Sequence, residues 1–327
     1  MLEFPMPAPL TAVRIVTGWY LDPEPVSLTV LAALGYLLGL RRLRRLNLVW
    51  PARRVVAWLA GCTALLVATG SGLARYAYVL VSAHMVQHLV VQLIAAPLLV
   101  LGAPMTLALR ALPATRRSPR RVLLAATRSC VSRWLTHPVV VLAAFASTPF
   151  VMYLTGLYEQ SLRSHPIHLL VMAHLLIVAL LFFTVVIGID PLPHRPGYPV
   201  RLLVLLLAAV AHAVFGVALM QQTQPLAARW WADVARPWWP DPIRDTVTAG
   251  GLAWTLGELP TLVIVGVLLR QWIRADERLQ RSQDRAADLP GSRSAQDFER
   301  YNRMLSDLAH GADGDRAVEQ ARRRPLR

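Results

Sequence analysis

Residues 166–189 read PIHLLVMAHLLIVALLFFTVVIGI, a stretch without Asp, Glu, Lys or Arg. A helix needs about 20 mostly apolar residues to cross the hydrocarbon core of a bilayer. The stretch therefore predicts a transmembrane helix, and two of its residues are the histidines His168 and His174. An ionisable side chain in the bilayer is costly, so it generally faces the interior of a helix bundle and has a function.

Six other stretches share this apolar character. Together they predict seven spans, at roughly residues 25–40, 55–73, 77–103, 138–157, 166–189, 201–220 and 247–270. Unbroken apolar runs do not suit a β-barrel, whose strands alternate between apolar and polar residues. We therefore predict an all-α fold, a polytopic membrane helix bundle of about seven transmembrane helices. Residues 1–24 form an external segment, residues 25–273 the transmembrane domain, and residues 274–327 a basic tail, partly helical and then disordered.

The arginines predict how the bundle crosses the membrane. The chain has no lysine, and 28 of its 34 basic residues lie on one set of predicted loops and the tail, with six on the other side. Loops rich in basic residues stay in the cytoplasm, which places the N-terminus outside and the C-terminus inside. The net charge of +15 thus indicates topology and attraction to anionic headgroups at the cytoplasmic face. We expect no nucleic-acid partner.

Histidines on two predicted spans point to a metal site. In His84-Met-Val-Gln-His88, two imidazoles at i and i+4 lie on one face of a helix and can share one ion. The alternative is a polar contact between helices. On the fifth span, His168 shares a face with Met172, whereas His174 is rotated from His168 by about 120°. His165 precedes a proline at the start of that span, where it is either an outer ligand or a cap.

His212 and Glu258 extend this set to the sixth and seventh spans. At a rise of about 1.5 Å per residue, the deeper members lie about 12–18 Å from the nearest span end, and His168 is shallower. Glu258 could ligate a metal, orient a ligand histidine or accept a proton; the alternative is an internal ion pair or hydrogen bond. We predict a cluster that reaches from the membrane interior toward the external face. Its candidate metal ligands are His84, His88, His168, His174, His212 and Glu258.

Several motifs resemble, in order along residues 15 to 275, the CtaG family of cytochrome c oxidase assembly factors. These are Trp19 with Asp22-Pro23, His84 to His88 running into Pro97 to Pro104, Ile187 to Pro193, Phe215 to Met220, and Gly257-Glu258-Leu-Pro260. The resemblance implies a multi-pass bacterial plasma-membrane protein that helps to build a haem-copper oxidase, with oxidase subunits as partners and copper as the ion that it holds or delivers. The six candidate ligands are carried over as the positions to test.

Three other functions stay open at this point. Histidines on different membrane helices can ligate haem, polar residues in a bundle can line the path of a copper transporter, and they can simply join helices in a scaffold. No sequence motif indicates a nucleophile with its base, a phosphate loop or a nucleotide site. We therefore expect a protein that is not an enzyme.

Overall fold

The computed structural model describes residues 7–115, 118–234, 238, 241–287 and 293–322. Every regular element in these ranges is a helix, which confirms the all-α prediction. The first half of the chain forms α1 (Ala12–Thr17), α2 (Pro23–Arg45), α3 (Ala52–Gly70), α4 (Gly72–Tyr76), α5 (Val81–Leu89), a π-helical turn (Val90–Ala95), α6 (Ala96–Leu101), α7 (Pro104–Ala111), α8 (Pro119–Arg128) and α9 (Cys130–Leu135). The second half forms α10 (Pro138–Leu154), α11 (Leu157–Arg163), α12 (His165–Ile187), α13 (Tyr198–Met220), α14 (Ala228–Asp233), α15 (Pro242–Ala287) and α16 (Arg293–Arg322).

The helices that could cross a membrane agree with the predicted spans. In the described part of the chain, six helical segments are long and apolar enough, and a seventh span results if α10 and α11, which meet at a bend of 69°, count as one. The third segment runs from Val81 to Ala111 and includes α5, the π-helical turn, α6 and α7, with an interruption at Gly102 and Ala103, where Ala103 has a φ of 51°. The chain is thus a multi-pass membrane protein, and the direction of crossing stays a prediction from the arginines.

The first of two compact units, Met1–Leu268, is organised around α12. This helix is apolar on all sides, which is typical of a helix surrounded by others, and it contacts α6, α10, α11, α13 and the π-helical turn. Phe182 and Phe183 of α12 are fully buried, and Phe145 of α10 stacks on Phe182 with ring centroids 4.2 Å apart. α10 packs along α12, and His168, near the start of α12, contacts His84 of α5.

A buried aspartate holds the start of α5. The Asp245 carboxylate accepts hydrogen bonds from the backbone N–H of Val81 at 2.6 Å and of Ser82 at 3.4 Å, and from the Ser82 hydroxyl at 2.6 Å. The first turn of a helix has N–H groups without partners inside the helix, and a negative charge there is favourable. Asp190 caps α7 in the same way, through Met105 and Thr106.

The tryptophan-rich loop between α13 and α15 is hydrogen-bonded to other parts of the protein. The Trp230 indole donates to the Tyr78 carbonyl at 3.0 Å, and the Trp238 indole donates to the Pro7 carbonyl at 3.0 Å. Trp231 is buried, and Trp239 lies outside the described residues. The loop is therefore fastened to the end of the bundle where α5 begins.

The second compact unit, Leu269–Arg327, consists of the end of α15 and of α16. α16 runs on to Arg322. Residues 288–292 lie outside the described residues, and so do the last five residues, at the end of the tail for which disorder is predicted. The boundaries of the tail stay a prediction.

Candidate functional site

Three of the six candidate ligands come together in the interior of the bundle. His84 and His88 lie one turn apart on α5, as the i, i+4 spacing predicts, and their ring centroids are 4.1 Å apart. His168 of α12 contacts the His84 ring at a centroid distance of 5.6 Å. Their exposed fractions are 0%, 3% and 5%. We call His84, His88 and His168 the imidazole cluster.

A tyrosine hydroxyl links two members of the imidazole cluster. The Tyr153 oxygen, near the end of α10, lies 2.8 Å from Nδ1 of His84 and 3.3 Å from Nδ1 of His88. The Tyr158 ring contacts the His84 ring edge to face at 4.9 Å. Sequence reasoning missed both tyrosines. The sequence offered only a general signal for them: a tyrosine hydroxyl that is buried in an apolar environment needs a hydrogen-bond partner.

Three ring nitrogens of the cluster have no hydrogen-bond partner among the described residues. Nε2 of His84, Nε2 of His88 and Nδ1 of His168 are buried and have no hydrogen-bond partner among the described residues. Most buried polar atoms are hydrogen-bonded, so three neighbouring exceptions call for an explanation. A metal ion bound by imidazole nitrogens would provide one. The three ligand atoms do not all lie within 4.8 Å of one another, so binding one ion requires an imidazole to rotate.

Two buried glutamines lie on the same transmembrane segment as His84 and His88. Gln87 donates from Nε2 to the Ala68 carbonyl at 2.9 Å, which ties α5 to α3, while its Oε1 has no partner in the described ranges. Gln92, four residues after His88, lies in the π-helical turn. Such a turn inserts an extra residue per turn and is frequent near functional sites. It also changes the direction of the side chains that follow His88, which a regular helix wheel does not anticipate.

A cavity of about 230 Å³ lies between the imidazole cluster and the start of α2. His168 and Met172 line it, as their shared helix face predicts, together with Gln87, Tyr78 and Asp22. Burial, aided by the charge of Asp22, raises the pKa of the Tyr78 phenol, so this hydroxyl stays neutral over the physiological range. The cavity therefore has a polar rim and one buried imidazole at its inner wall.

His174 lies on a different side of α12. Its side chain is exposed, contacts the Thr148 hydroxyl at 3.3 Å through Nε2, and lines a separate, mainly apolar cavity of about 600 Å³. The structure thus does not bring His174 to the imidazole cluster. The rotation of about 120° from His168 on the helix wheel already indicates this divergence.

His212 and Glu258 form a second polar site at the contact of α13 and α15. Both line a small cavity, and the Phe215 ring, 5.6 Å from Tyr153 and 6.2 Å from His212, lies against both rings. A Cβ atom on Gly257 would lie 2.6 Å from Cδ2 of His212, so the glycine makes room for the imidazole. Nε2 of His212 is buried without a partner among the described residues. The structure does not bring these two residues to the imidazole cluster.

Comparisons with known proteins agree with the motifs. Residues 34–275 match the family described as cytochrome c oxidase caa3 assembly factor (Caa3_CtaG). The chain is 38% identical over 312 residues to uncharacterized proteins of Mycobacterium bovis and Mycobacterium tuberculosis, and 36% identical to one of Mycobacterium leprae. The matched region covers 94% of this chain and 47% of each relative, so the chain spans about half the length of these curated relatives. No solved structure matches the chain.

The matched region contains the histidine pair of α5, the start of α12, and the Gly257-Glu258 segment of α15. It covers well over half of the chain. The chain belongs to the CtaG family of cytochrome c oxidase caa3 assembly factors.

Proposed function

We propose that this protein assists the assembly of a cytochrome c oxidase by holding a copper ion in the imidazole cluster and releasing it to an oxidase subunit. Family membership supports the assembly role. The observation that carries the copper role is the set of three buried, adjacent imidazoles whose Nε2, Nε2 and Nδ1 atoms lack partners in the described part of the chain.

The Tyr153 hydroxyl supports this assignment. A metal-ligating histidine commonly donates its other ring N–H to an oxygen, which sets the tautomer and orients the ring. The Tyr153 oxygen contacts Nδ1 of both His84 and His88. It can accept from both Nδ1–H groups, which leaves both Nε2 lone pairs for the metal. Imidazole suits copper, and the thioether of Met172 on the same cavity wall favours the cuprous form.

The proposed role is non-catalytic. A copper donor needs moderate affinity, because it has to release the ion to the oxidase. The cavity of about 230 Å³ beside His168 gives a route by which the ion reaches or leaves the cluster. If the arginine-based topology holds, this route opens on the external side of the membrane.

The test is the metal content of the purified protein. The chain is purified in mild detergent from copper-supplemented cells, with an affinity tag that contains no histidines, and its metals are measured by mass spectrometry. We expect at least one copper ion per chain. A His84→Ala, His88→Ala double variant should hold about one copper ion fewer per chain than the wild-type chain, and His174→Ala, which removes a histidine outside the cluster, should match the wild-type chain. Equal copper content in the double variant and the wild-type chain would contradict the assignment.

A cellular measurement tests the assembly role separately. The double variant should remain in the membrane while the copper content of the oxidase falls. Normal oxidase assembly in that strain would refute the proposal. A Soret absorption band in the purified protein would favour the haem-carrier alternative, and altered copper uptake with an intact oxidase would favour a transporter.

A further inference from the structure

A second group of potential metal ligands lies at the rim of the cavity, outside the imidazole cluster. A metal site needs several His, Cys, Asp or Glu residues whose ligand atoms lie close together. In the described ranges, one group of three or more such residues has all its ligand atoms within 4.8 Å of one another, and it consists of Asp22, Glu24 and His165. Asp22 is the N-cap of α2, and His165 is the first residue of α12. We call these three residues the outer group.

The orientation of His165 suits a ligand. Its Nε2 atom lies 3.4 Å from Oδ2 of Asp22, and its Nδ1 atom lies 3.4 Å from the Tyr78 hydroxyl. One ring nitrogen therefore points at the carboxylates, while the other has an oxygen that can orient the ring. The Tyr153 hydroxyl has the same relation to His84 and His88.

The two carboxyl groups of the outer group repel each other when both are ionised. The Asp22 side chain is 14% exposed, so the charge on its carboxylate is only partly solvated. Two carboxyl groups this close share a proton or bind a cation. A divalent cation would offset both charges while His165 supplies a neutral nitrogen ligand.

The same cavity connects the outer group to unpartnered polar atoms deeper in the bundle. Asp22 and His165 line the cavity of about 230 Å³ together with His168 and Gln87. His168 is 5% exposed and Gln87 is 2% exposed. Nδ1 of His168 and Oε1 of Gln87 have no hydrogen-bond partner within the described part of the chain. One cavity therefore has a charged oxygen-and-nitrogen ligand group at its rim and a buried, unsatisfied imidazole at its inner wall.

We propose that the outer group binds a divalent transition-metal cation at the rim of this cavity, ahead of the imidazole cluster. Two carboxylates and one imidazole favour Cu²⁺ or Zn²⁺ over the cuprous ion, which prefers sulfur ligands. Cu²⁺ is the best probe because it binds most tightly to a given nitrogen and oxygen site. The passage of the ion from the outer group to the imidazole cluster rests on the proposed function. The binding of the ion at the outer group does not rest on it.

The test isolates the outer group. The full chain carrying His84→Ala and His88→Ala, purified without a histidine tag and stripped of metal, is titrated with Cu²⁺ and followed by electron paramagnetic resonance. We expect one Cu²⁺ ion per chain, with a spectrum of mixed nitrogen and oxygen ligation. Adding Asp22→Asn and His165→Gln should weaken binding by about 100-fold or more, whereas adding His137→Gln, which changes an exposed histidine elsewhere, should not.

A milder variant guards against a folding defect. Glu24 is exposed, so Glu24→Gln should leave the size-exclusion profile unchanged and weaken Cu²⁺ binding by about 10-fold or more. Failure of the His84→Ala, His88→Ala protein to bind Cu²⁺, or unchanged affinity after the substitutions in the outer group, would overturn the inference. Cu²⁺ bound at the outer group of a wild-type chain that holds no copper in the imidazole cluster would refute the proposed function and uphold this site.

Discussion

Replacing Asp245 with alanine should strongly destabilise the bundle. Asp245 is fully buried, and its carboxylate accepts two hydrogen bonds of 2.6 Å, from the Val81 N–H and the Ser82 hydroxyl. A hydrogen bond to a charged group contributes about 1.5–3 kcal/mol. Loss of both should lower the free energy of unfolding by about 3–6 kcal/mol, and the third contact, at 3.4 Å, adds little. At roughly 2 °C per kcal/mol, the melting temperature should fall by about 6–12 °C.

Thermal unfolding in detergent, followed with a thiol-reactive dye, measures this effect. Cys62 is buried and reports unfolding, provided that the exposed Cys130 is first changed to serine. Asp241→Asn is the matched control. Asp241 is exposed and accepts from the N–H groups of Ile243 and Arg244 at 2.9 and 3.0 Å, and asparagine caps a helix equally well. If Asp245→Ala melts within 2 °C of the wild-type chain, the carboxylate does not hold the start of α5.

Three further outcomes are expected. Tyr153→Phe should weaken copper binding by about 10–100-fold, measured by competition with a chelator, because it removes the oxygen that orients two imidazoles; unchanged affinity would contradict that role. Gly257→Ala should destabilise the fold by about 1–3 kcal/mol, since the new Cβ atom meets His212 at 2.6 Å. Gly251→Ala, with no atom within 4 Å of the new Cβ, should be neutral or slightly stabilising, and equal melting temperatures for the two variants would refute the steric argument. Asp190→Ala should cost about 2–5 kcal/mol in thermal unfolding, because it leaves the N–H groups at the start of α7 without their acceptor; an unchanged melting temperature would show that the cap is dispensable.

The proposed site combines rigid and adjustable parts. His84 and His88 are held by a helix whose first turn is bound by Asp245 and whose side is bound to α3 through Gln87. His168 comes from another helix and borders the cavity. Under the proposed function, binding of one ion by all three imidazoles would need a rotation of side chains.

The part of the site that the sequence predicts is the part that lies within one helix. The spacing of His84 and His88 places them on one face, because an α-helix repeats every 3.6 residues. The same rule indicates that His168 and His174 diverge. It does not show how far a helix is rotated about its own axis against its neighbours. The depth of a residue in a span does not determine the direction in which its side chain points. His212 lies deep in a span like the other candidates, but it lines a different cavity.

The sequence by itself determined that the chain crosses a membrane as about seven helices, because the hydrocarbon core admits only long apolar segments whose backbone polar groups bond internally. It also determined the family, through motifs in a fixed order. Only the tertiary structure decided which polar groups meet. The cap from Asp245 to Val81 joins residues 164 positions apart, and the Tyr153 hydroxyl meets His84 across 69 positions. Such contacts depend on how whole helices pack, and local periodicity carries no information about them.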